Sequence, residues 1–397
     1  MIAKLPLLDT EAIHATPGAN LSSAETTRLR GAFIRTRSWP AANENVYRAL
    51  KEQLPTYDID LIEIESLLKQ RPLIVALNVL FVVWYYGLDI VRRRRKFKDC
   101  FFRTPYIFHT IKRLVSQQIA QKQYSFSFQM QSLFDASTEG TPHFLYTDHT
   151  HLANLYYANF DKRKLYSEQW IALERTIYQN TIVNFCRSSN IRRSLIDQYD
   201  SSPDKTVCVY AGSNTEQHPV AFNENKYTSK QILFVGMDWE RKGGPVLLEA
   251  FKLVIKHHPD AELMIVGCTP QVDVPQCKVV ARVPIDQVSM FYEEAAIFCL
   301  PTKLEPFGVV FVEAMNHRLP VVATNVGAVP DFILNGETGY IVEPDNATEL
   351  AQALIALLDD PEKCRTLGNN AYMLVKKRYS WENAVEAMQA HILATIK

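Results

Sequence analysis

Glu305 and Glu313 stand eight positions apart in Leu304-Glu305-Pro306-Phe307-Gly308-Val309-Val310-Phe311-Val312-Glu313-Ala314-Met315, two carboxylates either side of a Gly-containing turn that opens into an apolar helix. Pro306 fixes φ in the turn, Gly308 lets backbone come close to a ligand, and the first N–H groups of the helix have no intrahelical partner. Such a helix start, at Phe307, Gly308 and Val309, attracts anions and holds a phosphate without a metal. One Glu in the loop and one a turn into the helix are placed to accept hydroxyls on either side of that phosphate. The pattern suits a diphosphate with a sugar at each end. Two Glu flanking a turn also occur in ordinary capped helices, so the surrounding chain must decide.

Upstream, Gln231-Ile232-Leu233-Phe234-Val235-Gly236 reads as a short strand ending in Gly236. It is followed by a loop carrying Arg241 and Lys242 and an amphipathic helix over 246–255, and strand, cationic loop and helix in that order form phosphate-binding geometry. A solvated loop would show the same two cations. Downstream, Arg318-Leu319-Pro320-Val321-Val322-Ala323-Thr324 reads as a buried strand, Asn325-Val326-Gly327-Ala328-Val329-Pro330-Asp331 as a loop entering a helix, and Ile341-Val342 as a further strand, all parts of a parallel α/β unit.

The run 301–344 as a set resembles the donor-binding core of the retaining GT-B glycosyltransferases of family four, the group 1 glycosyl transferases. The resemblance implies an α/β GT-B fold, two Rossmann-like doubly wound domains facing a cleft, and transfer of a hexose from a nucleotide-diphosphate sugar to a hydroxyl acceptor. It implies that Lys242 clamps the donor diphosphate, that Glu305 accepts the donor-sugar hydroxyls, and that Glu313 accepts the ribose hydroxyls. In similar enzymes an Arg follows the strand-ending Gly, where this chain has Met237, so Arg241 is the candidate second cation. The base would lie against the loop after Val266-Gly267 and near Arg282-Val283-Pro284. No residue stands out as a covalent nucleophile, which suits the front-face transfer proposed for similar enzymes, and no metal and no cofactor is expected.

Length and composition fit two domains: 397 residues, 47% of them hydrophobic, exceed one comfortable core. A formal net charge of zero argues against a nucleic-acid partner. Seven Cys without a Cys-x-x-Cys pair point to a reducing compartment, and Met1-Ile2-Ala3-Lys4-Leu5-Pro6 shows no leader pattern, so a cytoplasmic location is expected. Candidate strands at 31–35, 59–64, 124–130, 144–147 and 181–186 give an N-terminal acceptor-side domain over 1–213. A linker over 214–229, a nucleotide-sugar domain over 230–379 and a helix over 380–397 crossing back to the first domain complete the organisation.

In the N-terminal half, Asp148-His149-Thr150-His151 follows a strand at the sheet edge where ligands sit. By the resemblance His149 faces the transferred sugar, with His151 the runner-up, and without an evident third ligand a zinc site is not expected. Asp58-Ile59-Asp60 looks like a metal-binding Asp-x-Asp but lies inside a strand. The loop 36–43 lacks the Gly pair often seen there, which leaves the acceptor end open. Finally, 73–88 is almost unbroken apolar sequence with Trp84-Tyr85-Tyr86 near its end, followed by Arg92-Arg93-Arg94-Arg95-Lys96-Phe97-Lys98. The run is short for a span, leaving two readings: a helix covered by protein, or a patch at 73–98 that meets an anionic membrane and suits a lipid-linked acceptor. A transferase with a soluble small-molecule acceptor and a non-catalytic nucleotide-sugar-binding scaffold stay open as alternatives. A pyridoxal-phosphate phosphorylase would need more chain.

Overall fold

Short runs of β-branched and aromatic residues, each ending in Gly or polar turn residues, alternate with helical periodicity along most of the chain, and that alternation builds parallel sheets. The computed structural model describes residues 28–158, 160–213 and 224–396. Residues 1–27 of the expected first domain and 214–223 of the expected linker lie outside them. The first half contains β1 (Leu29–Arg35), α1 (Ala42–Gln53), β2 (Tyr57–Glu63), α2 (Ile64–Lys69), α3 (Pro72–Val91), α4 (Phe97–Cys100), α5 (Pro105–Ile119), β3 (Phe126–Met130), β4 (His143–Thr147), α6 (Glu168–Gln179), β5 (Val183–Cys186), α7 (Ser189–Tyr199) and β6 (Thr206–Cys208). The second half contains β7 (Gln231–Val235), α8 (Gly244–His257), β8 (Glu262–Val266), β9 (Cys277–Val280), α9 (Ser289–Glu294), β10 (Ile297–Leu300), α10 (Val309–Asn316), β11 (Val321–Thr324), α11 (Val329–Phe332), β12 (Gly339–Val342), α12 (Ala347–Leu358), α13 (Pro361–Arg378) and α14 (Trp381–Thr395).

Each half forms one six-stranded sheet, in the orders β2-β1-β3-β4-β5-β6 and β12-β11-β10-β7-β8-β9. Every strand pairing in both is parallel. Order reverses between β1 and β3 in the first sheet and between β7 and β10 in the second, and at such a switch point the loops at the carboxyl ends part to leave a crevice. Strands buried on both faces, such as β10 and β11, read as the continuous apolar runs that parallel sheets require. Helix α14 returns to the first half, where Gln389 donates to the Gln53 carbonyl and the His391 ring meets Phe185 at 5.7 Å.

Two expectations change. The apolar helix is not short: Pro72 at its start and Asp89, Ile90 and Val91 at its end extend it to 20 residues, long and apolar enough to cross a membrane. Nor is it covered by the described residues, because only its Asn78, Val82 and Tyr86 are buried among them. The crossover from β2 to β3 is made by α5, which buries Ile107, Ile111, Leu114 and Val115 on the sheet. That leaves α3 outside the layer.

Candidate functional site

At the switch point of the second sheet, the loop after β7 carries Lys242 and the loop after β10 carries Glu305, and the two side chains form an ion pair with both partners nearly enclosed. Backbone contact fixes the two loops against each other. Lys303 N–H donates to the Arg241 carbonyl at 2.9 Å, and the Arg241 guanidinium donates to the Leu304 carbonyl at 2.9 Å. Gly243, with φ +77, caps α8, and a Cβ there would stand 1.8 Å from the Pro301 carbonyl oxygen, so only glycine permits this approach. Gly236 lets the Lys242 stem pass over the end of β7: a Cβ would lie 3.2 Å from Lys242 Cγ. Glu305 is fixed from its other side as well, its carbonyl accepting from Ala328 N–H at 3.0 Å.

Gly308, with φ +94, caps α10, and Phe307 before it is buried on Phe332 at 5.1 Å between ring centroids. The start of α10 at Val309 therefore sits beside the Lys242–Glu305 pair. Glu313, one turn into α10, is 6% exposed and accepts from the Tyr292 hydroxyl at 3.2 Å. Burial pushes its carboxyl up to about 7, against the smaller opposing pull of the Tyr292 hydrogen bond. Val283 is half-buried beyond the carboxyl end of β9, on the outer side of the crevice. Arg241 is engaged in the loop itself, pairing with Asp238 at 3.4 Å as well as with Leu304, and Met237 is exposed. To hold a phosphate, Arg241 would have to leave those partners.

On the first sheet, His149 follows β4 at the carboxyl edge. Its Nε2 accepts from Asn154 Nδ2 at 3.0 Å, which leaves the proton on Nδ1, and that nitrogen is buried without a partner among the described residues. Burial lowers the His149 pKa, partly offset by Asp148, so the ring is neutral near pH 7. His149 lines a cavity of about 180 Å³ with Arg103, Gln131, Asp148, Trp170 and Glu174. His151 is structural. Its Nε2 accepts from Tyr166 N–H at 2.8 Å, its own amide donates to Glu174 at 3.0 Å, and burial lowers its pKa to about 3. Asp58 and Asp60 sit in the first half of β2, away from the carboxyl edge, where Asp60 pairs with Arg30 at 3.2 Å and Lys122 at 2.7 Å. Where the loop 36–43 lacks its Gly pair, buried Asn43 ties it instead by donating to the carbonyls of Arg37 and Trp39.

Three contacts that sequence reasoning missed join the halves. Tyr157 is buried against the loop after β11, its hydroxyl near enough to Gly327 that a Cβ there would lie 2.6 Å away. Ser188 Oγ donates to the Pro306 carbonyl at 3.4 Å, and Ser189 N–H donates to Asp331 Oδ2 at 2.8 Å. Sequence signals existed only on the second-half side, at Pro306, Gly327 and Asp331, and not for Tyr157, Ser188 or Ser189. Carboxyl-end loops of both sheets thus face each other, and a cavity of about 690 Å³ opens between them, lined by Tyr156, Tyr157, Arg193, Lys303 and Asp345.

Two six-stranded Rossmann-like sheets meeting at their carboxyl edges, with an anion-suited helix start at the second sheet's switch point, define the GT-B class of fold. Residues 216–373 match the family Glycosyl transferases group 1. Over 205 residues, 50% of the chain, it is 29% identical to an uncharacterised glycosyltransferase of Methanocaldococcus jannaschii, aligned over 56% of that protein. It is 27% identical over 243 residues, 54% of the chain and 58% of the relative, to a D-inositol 3-phosphate glycosyltransferase of Corynebacterium aurimucosum. The chain thus spans somewhat over half the length of these curated relatives. Among solved structures, a sucrose-phosphate synthase of Thermosynechococcus elongatus superposes with TM-score 0.66 at 20% identity, covering 93% of this chain and 99% of that one. Anabaena HepE in complex with UDP gives TM-score 0.61 at 14% identity, covering 92% and 100%.

Proposed function

We propose that this chain is a retaining, metal-independent glycosyltransferase that moves a hexose from a nucleotide-diphosphate sugar to a hydroxyl on a membrane-borne glycan or lipid, working peripherally at a cytoplasmic membrane face. The observation that carries the reading is the convergence of Lys242, Glu305 and the Gly308-capped start of α10 at the switch point. In this mechanism the bond from the anomeric carbon to the diphosphate breaks with its electron pair going to the phosphate oxygen. Lys242 and the first N–H groups of α10 stabilise that departing charge, a term that acts in the transition state more than in the ground state. The acceptor oxygen bonds to the same face, and its proton passes to the leaving phosphate. Glu305 accepts from the donor-sugar hydroxyls, Glu313 from the ribose, and His149 faces the sugar from the acceptor side. Arg241 is the second cation of the clamp once it turns from Leu304.

The test is donor hydrolysis and transfer with a panel of nucleotide sugars, headed by UDP-linked ones because HepE was solved with UDP. Turnover that persists in EDTA and a product whose anomeric proton coupling matches the donor's support the reading. A wild-type protein that binds nucleotide sugars and turns over none of them replaces it with a non-catalytic binder, a second reading that draws on exposed Met237 at the family's Arg position.

A further inference from the structure

Helix α3 is amphipathic in the sense opposite to that of a helix packed in water. Its inward face carries the polar anchors: Asn78 Nδ2 donates to the Phe101 carbonyl at 2.8 Å, and Tyr86 Oη to the Arg103 carbonyl at 2.6 Å, either side of buried Val82. Its outward face is a stripe of large apolar side chains at helical spacing. Leu73 is 78% exposed, Leu80 65%, Trp84 84% and Leu88 73%. Soluble proteins rarely leave so large a contiguous apolar face uncovered. The only charged residue in the helix, Asp89, is paired with Arg94 and Arg95.

The basic run that follows is divided in two by the fold. Arg95 turns inward, donating to the Lys164 and Leu165 carbonyls and stacking 4.3 Å over the Tyr166 ring. Arg92, Arg93, Lys96 and Lys98 face out at the end of the apolar stripe. An apolar stripe rimmed by cations at one end is complementary to the acyl boundary and headgroups of an anionic leaflet.

We propose that α3 is a docking helix that lies flat on an anionic lipid surface. The tethers at Asn78 and Tyr86 hold it along the body of the first domain, which a membrane-crossing helix would have to break. The same helical insertion leads inward. A groove of about 510 Å³ beside α3, walled by Phe81, Tyr85, Tyr106 and Arg113, includes Pro105. Two residues before Pro105, Arg103 lines the cavity that contains His149. A surface-bound protein would thus present the His149 cavity to an acceptor carried by that membrane, a consequence that rests on the transferase reading given above.

The full-length protein is sedimented with phosphatidylcholine vesicles with and without phosphatidylglycerol, alongside Leu80→Glu/Trp84→Glu and Arg92→Glu/Arg93→Glu, and donor hydrolysis is measured without lipid in each case. The expected result is binding to the anionic vesicles only, weakened at least about tenfold in each double variant, with donor hydrolysis unchanged. Wild type that ignores anionic vesicles overturns the proposal. So does a concentration-dependent dimer abolished by Leu80→Glu/Trp84→Glu, which gives the face to a second copy, and so does resistance to alkaline carbonate extraction from native membranes, which makes α3 a span. Absence of donor hydrolysis in wild type would instead sink the transferase reading while leaving the docking result intact.

Discussion

Lys242 and Glu305 are buried together, so each is needed for the other before any donor arrives. Removing one member of a buried pair leaves an uncompensated charge and costs about 3–5 kcal/mol. Lys242→Ala is therefore expected to lower thermal stability as well as activity. The double variant Lys242→Ala/Glu305→Gln should recover most of the melting temperature and none of the turnover, a split that calorimetry and a transfer assay read directly. Recovery of activity in the double variant would show that Lys242 serves the fold and not the diphosphate. Glu313 gives a pH signature. Its folded pKa of about 7 lies above its usual 4.5, so folding takes up a proton between those values. Stability falls as pH rises through that window and levels off above it, by on the order of 3 kcal/mol. If the ionised carboxylate accepts the ribose hydroxyls, nucleotide binding releases a proton and tightens from pH 6 to pH 8. Titration calorimetry of UDP, GDP and ADP should show this in wild type and a flat profile in Glu313→Gln. A flat wild-type profile would leave Glu313 as a core residue held by Tyr292.

At the scale of elements, glycines let loops touch backbone to backbone. Gly243 and Gly140 have nearly the same φ, +77 and +76, but an added Cβ meets the Pro301 carbonyl at 1.8 Å in the first case and open space in the second. Gly140→Ala isolates the cost of left-handed backbone, about 1 kcal/mol. Gly243→Ala should cost clearly more and weaken donor binding with it, because the loops bearing Lys242 and Glu305 must part. Equal denaturation midpoints for the two variants would refute this. The second half was legible at this level because its elements are short and punctuated by Gly and Pro, and its central strands are buried on both faces. Helix α3 was not. Periodicity reports which residues share a face, and a helix apolar nearly all round leaves open which side meets the protein, so the part Asn78 plays as an anchor could not be read from it. Similarly, sequence could bring His149 and His151 to one loop and the structure puts both on one cavity, but only the partner of each ring nitrogen shows that His151 is held by backbone while His149 keeps Nδ1 open.

For the whole molecule, the two sheets are joined at their carboxyl edges by contacts that no single-domain pattern could reveal, since each lies between residues more than a hundred positions apart. Asp331 is the most informative. Its carboxylate accepts from Ser189 N–H at the start of α7, while Tyr379 donates to its backbone carbonyl. Burial raises the Asp331 pKa although the Ser189 contact lowers it, so the closed arrangement holds a partly desolvated carboxylate against a helix start that favours it. A charge-assisted hydrogen bond of this kind contributes about 1.5–3 kcal/mol, enough to shift an open–closed balance by tenfold or more. Asp331→Ala is expected to widen the cleft, read as a larger radius of gyration in small-angle scattering, and to raise KM for the donor with little change in melting temperature. Asp331→Asn, whose carbonyl oxygen still accepts from Ser189, should fall between the two. Scattering curves that superpose for wild type and Asp331→Ala would show that packing of Tyr157 on the loop after β11, rather than this hydrogen bond, keeps the domains together.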